Sequence, residues 1–204
     1  KASTFTSYDK IPNMTVYLTR NPKRNHSLYY SRKGFKMHPL QHKLFIQYII
    51  HFNIEKDYFE CHEVGEEYWK ALAPKDKMHP LTGWIQVAVG MYNWRRSNYP
   101  GALRSFIRSK AKLSDAGIWV EGFDRSELIE QISGAILAVT ERKPFEPFQL
   151  PVISKELQES VAAYMLEHPS KDHDPHFIMH KHRLRDRSSI INLREQRKKR
   201  NLEL

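Results

Sequence analysis

Apolar residues recur at helical spacing from Leu40 onward. Leu44, Phe45, Tyr48 and Ile49 fall on one face of a first helix. A second helix is predicted from Asp57 to Leu72, closed by Pro74, and a third from Leu81 to about Ser97, led in by Pro80. Asn98 and Pro100 then read as a cap and first turn, opening a helix that Leu103, Phe106 and Ile107 carry to about Leu113. Gly117 and Gly122 flank a loop. Asp124 followed by Glu127 reads as a capping box for a stripe of Leu128, Ile129, Ile132, Ile136 and Val139. Three prolines mark 144–151 as a linker, after which Ser154 opens a helix through Leu157, Val161 and Tyr164, and a last helix is expected from about Ser189. The pattern predicts an all-α fold, an antiparallel multihelical bundle of five or six helices. Before the bundle the pattern is different. Val16, Leu18 and the run Leu28–Tyr30 suit short strands, with Asn21-Pro22 as a turn. The expected organisation is a basic extension over 1–36, irregular or in short strands, a helical domain over 37–165, and a partly helical tail over 166–204.

Charge sharpens that division. The chain of 204 residues carries a formal +10. Residues 1–36 contribute +7, residues 166–204 contribute +4, and the middle is close to neutral. Basic ends suit phosphate contacts, and Arg194, Arg197, Lys198, Lys199 and Arg200 are the clearest candidates for binding RNA or a ribonucleoprotein. The other reading of the same residues is a solvated, partly helical tail that maintains solubility. Six cations, Arg95, Arg96, Arg104, Arg108, Lys110 and Lys112, crowd residues 95–112 without an acid among them. They suit a phosphate-bearing partner, or pairing with the acidic helix 55–67. No run of 18 apolar residues spans a membrane, no leader pattern opens the chain, and one cysteine, Cys61, fits a reducing compartment, so a cytoplasmic location is expected. A homo-oligomer is compatible with amphipathic helices, although no heptad run calls for one.

The chemistry concentrates in the second helix. Phe59, His62, Glu66 and Trp69 stand at i, i+3, i+7 and i+10, and the two aromatics mark that stripe as the buried face. A histidine and a glutamate in an apolar stripe must satisfy each other or a ligand. Three roles suit the pair: a general base oriented by a carboxylate, two ligands of a divalent metal, or a polar lock that fixes register. In the catalytic reading His62 and Glu66 are joined by Glu63 as a second carboxylate. The sequence His62-Glu63-x-x-Glu66 lacks the second histidine of the zinc-protease pattern. Cys61 reads as a small packed residue. Five histidines, at 168, 173, 176, 180 and 182, crowd the tail, where adventitious metal binding is expected.

The stretch FN…DYFECHEVGEEYW, followed by GWIQVAVGMYNWRRSNYPGAL, resembles the bacterial and archaeal domain-of-unknown-function family 309 over about 40–115. His62, Glu66 and Trp69 match its His-x-x-x-Glu-x-x-Trp hallmark. Phe52, Asn53, Tyr58, Phe59, Glu63, Gln86, Ala88, Asn98, Gly101 and Ala102 match its accompaniments. The resemblance implies an all-helical fold and a motif proposed as catalytic, without an established activity. Gly65 stands where the family usually has an apolar residue, and Tyr92 or Asn93 where relatives often carry a histidine. Gln86 is then the candidate partner of His62 or Glu66. Asn98 reads as partner or helix cap, Trp69 as core or ligand platform, and Tyr58 and Tyr92 as further residues that bind at or support the site. Gly90, Tyr99, Ala102 and Phe106 are similar in spacing to a single tetratricopeptide unit, a pattern that any small-into-large helical hairpin gives.

Overall fold

The structure, a computed structural model, describes residues 15–20, 26–32 and 35–37 by their backbone, residues 38–169 in full, and residue 178. The chain divides into two compact units, 1–171 and 172–204. Apart from residue 178, the second unit lies outside the described residues, and with it the helix expected from Ser189.

In the first unit, strands β1 (Thr15–Arg20), β2 (His26–Arg32) and β3 (Phe35–Met37) form an antiparallel sheet in the order β1-β2-β3. Tyr17 is paired with Tyr29 and Ser31 with Lys36. Among the described residues six α-helices follow: α1 (Lys43–Ile49), α2 (Tyr58–Leu72), α3 (Pro80–Arg95), α4 (Tyr99–Leu113), α5 (Arg125–Thr140) and α6 (Lys155–Glu167). They form the all-α multihelical bundle that the periodicity predicts.

Side-chain caps fix most helix starts where the sequence places them. The carboxylate of Asp57 accepts from the Glu60 amide at 3.0 Å, Asn98 Oδ1 from Gly101 at 3.2 Å, and Asp124 from Glu127 at 3.0 Å. Ser154 Oγ accepts from Leu157 at 3.3 Å. Only half of the expected capping box forms, because the Asp124 amide donates to the Pro151 carbonyl at 2.9 Å and not to the Glu127 carboxylate. Histidines cap two more helices: His42 Nδ1 accepts from the Leu44 amide, and His79 Nδ1 from that of Leu81. Burial pushes both imidazoles down to about 4, so both stay neutral and keep the acceptor lone pair that the cap requires. After α1 the chain does not break. It widens into a π-helical turn, Ile50–Ile54, in which the Glu55 amide reaches back to the Ile50 carbonyl at 3.0 Å.

Trp84 on α3 is the centre of the core. Phe123 lies 4.6 Å from it by ring centroids, Phe45 5.6 Å and Tyr48 6.1 Å, and its indole donates to the Trp119 carbonyl. Glycines set the helix separations. A Cβ at Gly90 would stand 2.5 Å from Phe106 Cε1, so the α3–α4 crossing needs the missing side chain. The linker after α5 runs back over the bundle as an extended strap, and α6 then packs on α1, where Gln47 donates to the Tyr164 hydroxyl at 2.6 Å, while the buried Leu157 lies beside Gly122. Among the described residues no helix is long and apolar enough to cross a membrane.

Candidate functional site

The geometry of α2 corrects the expected buried face. The residues that α2 buries are Tyr58, Cys61, Gly65 and Tyr68, one position back from the predicted stripe. The two stripes are about 100° apart and each has an aromatic at both ends, so hydrophobicity alone does not choose between them. Size does. Cys61 and Gly65 let α2 approach its neighbours so closely that a Cβ on Gly65 would lie 3.0 Å from Ile85 Cγ1 and 3.4 Å from Tyr48 Cδ2. Phe59, His62, Glu66 and Trp69 are thereby turned to the bundle's flank. The His62 and Glu66 side chains keep 27% and 34% of their surface exposed, so the pair is half-buried and not sealed in the core.

On that flank the predicted pair does form. His62 Nε2 lies 3.2 Å from Glu66 Oε1, and His62 Nδ1 lies 3.2 Å from Glu63 Oε1. The second oxygen of Glu66 is taken by the Lys70 ammonium one turn on. Burial pushes the Glu66 carboxyl up, but the Lys70 hydrogen bond and the neighbouring His62 outweigh it and hold the group below its ordinary value. The result is a ladder, Glu63–His62–Glu66–Lys70, along one helix.

Around this ladder the other candidates separate. Tyr92 stands on α3 across from Phe59, ring centroids 5.8 Å apart, with the Arg96 guanidinium 5.3 Å from its centroid. Trp69 packs partly against the core and donates its indole N–H to the Asp76 carbonyl at 2.9 Å, which makes it part of the wall. Gln86 is half-buried on α3, and among the described residues no hydrogen bond joins it to His62 or Glu66. Asn98 serves as the cap of α4 and donates to Asn93 Oδ1 at 2.8 Å, at the far end of α3 from Gln86. Gly101 is required there, since a Cβ would stand 2.5 Å from Asn98 Nδ2. Tyr58 belongs to the core, not to the flank. Cys61 is fully buried on the neighbouring stripe, donates its thiol to the Tyr48 carbonyl at 3.4 Å, and is pushed well above its ordinary value by burial, so it supplies no nucleophile.

For a metal, His62 and Glu66 are two donors in contact. Among the described residues no group of three His, Cys, Asp or Glu side chains converges into a metal site. Of the cations at 95–112, Arg95 stands on α3 and is drawn electrostatically to Asp57, whereas Arg104, Arg108, Lys110 and Lys112 stand on α4, which packs on the other side of α3 from α2. The tail residues Arg194, Arg197, Lys198, Lys199 and Arg200 lie outside the described residues.

Two features escaped the sequence reading. A second histidine–glutamate pair, His51 and Glu55, sits on the π-helical turn at 2.6 Å and is the more buried of the two, at 20% and 16% exposure. Its signal was the same His-x-x-x-Glu spacing found at 62–66. The other is Arg95, whose place at the end of the α3 core stripe carries its own signal.

Comparison with known proteins gives this architecture a lineage. The profile of the family described as "Domain of unknown function (DUF309)" matches residues 45–105, which run from α1 into α4 and include the whole ladder. The chain is 35% identical over 162 residues to the uncharacterized protein YpuF of Bacillus subtilis (strain 168), a match covering 76% of this chain and 92% of that protein. No solved structure matches. The profile match, together with a 35% identical relative matched over 92% of its length, makes the chain a member of domain-of-unknown-function family 309.

Proposed function

We propose that the chain is a non-catalytic helical binding module, and that the flank carrying His62, Glu66 and Trp69 is its recognition face for a protein partner. The observation that supports this most is the double engagement of His62. With a carboxylate 3.2 Å from each ring nitrogen, the imidazole must give up a contact before it takes a proton from a substrate or binds a metal. The same ladder is well suited to recognition. It fixes alternating charges at half-exposed positions beside the Trp69 indole, the combination of anchored aromatic and oriented charge that gives interfaces their specificity.

The test uses the full chain. A photo-crosslinking residue at position 86 is expected to give one discrete protein adduct in cells that make this protein. The purified partner is expected to bind about tenfold more weakly to Glu66→Gln. Turnover of an ester, phosphoester or peptide substrate, with or without added zinc, manganese or magnesium, that His62→Ala abolishes would overturn the reading in favour of a catalytic pair.

A second reading, RNA binding, draws on α4. Arg104 and Arg108 are exposed one turn apart, and among the described residues neither is in an ion pair. They supply a rigid basic face to a chain whose ends are also basic.

A further inference from the structure

Trp84, Ala88 and Met91 form a fully buried stripe on α3, and helical spacing puts Arg95 next in line. A guanidinium therefore stands where an apolar residue would close the end of the bundle. Its Cζ lies 4.4 Å from the Tyr58 ring centroid and 4.9 Å from that of Phe145, whose rings are 6.1 Å apart. Of its five N–H groups, Nη1 donates to the Lys56 carbonyl at 2.7 Å. Lys56 holds the left-handed conformation, φ 55°, at the turn into α2.

What is missing around Arg95 is an anion. None of the ion pairs among the described residues includes Arg95. Asp57 is the acid whose charge acts on Arg95, and one of its oxygens caps α2. The Tyr58 side chain is fully buried against this guanidinium, and its hydroxyl oxygen faces the Arg95 N–H groups, so the hydroxyl's own proton is left without an acceptor among the described residues. Burial pushes that phenol up to about 12, with the guanidinium's charge working against the push. Burial, with Arg95 adding to it, also lowers the Lys56 ammonium. Buried donors are almost always satisfied, and a half-buried cation without a counter-charge is costly. Here two such donors share one place, with a second cation beside them.

We infer that this end of the bundle is an oxyanion site, in which a carboxylate or phosphate group bridges the Arg95 guanidinium and the Tyr58 hydroxyl, with Lys56 adding charge. Such a group accepts from both donors at once and relieves the crowding of the two cations. The site stands apart from the ladder on the α2–α3 flank, so either can fail without the other. Its side wall is the strap 144–149, exposed except at Phe145 and Phe148 and anchored at both ends. At one end the Trp94 indole donates to the Lys143 carbonyl at 3.0 Å. At the other, Asn53 Nδ2 donates to the Leu150 carbonyl at 3.0 Å and its Oδ1 accepts from the Leu150 amide at 2.8 Å.

The test titrates the full chain with inorganic phosphate and, separately, with acetate at constant ionic strength, reading the melting temperature and the heat of binding. A saturable response to at least one anion is expected, and the anion that responds tells phosphate from carboxylate. Tyr58→Phe keeps the ring against the guanidinium and removes only the hydroxyl, so it is expected to weaken that response about tenfold, the value of one hydrogen bond to a charged group. Arg95→Met, which fills the stripe with an apolar side chain, is expected to abolish it. No saturable response to either anion, or one that Tyr58→Phe leaves unchanged, would overturn the inference and leave Arg95 as a packing residue only.

Discussion

His79 shows how much one side chain can do when burial holds it in one protonation state. It is 6% exposed, sits edge-to-face with Trp119, and lends Nδ1 to the first turn of α3. Its folded-state pKa of about 4 lies below the 6.5 of an unfolded histidine, with Asp76 pulling weakly the other way. The folded chain therefore binds fewer protons than the unfolded chain between those values. The stability this group supplies is complete above about pH 6.5 and is lost as the pH falls towards 4, by roughly 3 kcal/mol in all. His42, stacked on Tyr68 at 4.2 Å, acts in the same direction. Urea titrations across pH 4 to 7.5 are expected to show this slope. They are expected to show a shallower one for His79→Asn, which keeps a capping oxygen but does not titrate. An unchanged slope in that variant would mean that other groups carry the acid sensitivity.

At the scale of the helix, volume decides what polarity leaves open. Gly90 is the sharpest case. Phe106 is fully buried and its ring edge occupies the space a Cβ would need, so Gly90→Ala is expected to force α3 and α4 apart and to cost about 1–3 kcal/mol, read as a lower melting temperature. The same logic explains what was legible in the sequence. Helix number and starts were readable because Asp57, Asn98, Asp124 and Ser154 are capping residues by type. The histidine caps were not, because an imidazole caps only where burial keeps it neutral, a property of the folded molecule. The pairing of His62 with Glu66 followed from their spacing on one helix. Its half-buried setting did not, because Gly65 pulls the neighbouring stripe inward by fitting between Tyr48 and Ile85, with Cys61 packed on Tyr48. The widened turn at 50–54 leaves no periodic trace over five residues, and it hid the His51–Glu55 pair. Arg95 read as one of a run of surface cations until its register with Trp84, Ala88 and Met91 was fixed by the packing of α3.

For the whole molecule, the contrast between a near-neutral bundle and basic flanks bears on partners. If α4 contributes to RNA binding, each arginine contact adds about 0.7 to the salt slope on a single strand, so Arg104→Gln with Arg108→Gln is expected to flatten the slope of log K against log salt by about 1.4. Fluorescence anisotropy of the full chain on a single-stranded RNA over a salt series reads this directly, and an unaltered slope would remove α4 from the interface. The strap gives the molecule a different kind of lesson. The family profile ends at residue 105, yet Asn53, inside it, finds both its backbone partners at Leu150, and Trp94, also inside it, finds its acceptor at Lys143. A fragment cut to the recognisable segment would strand these donors and bare the rings of Phe52 and Tyr58, which Phe148 and Phe145 cover. The stretch of chain by which kinship is detected is thus shorter than the stretch that must be inherited together, and a gene fusion or truncation that respects the first boundary would break the second.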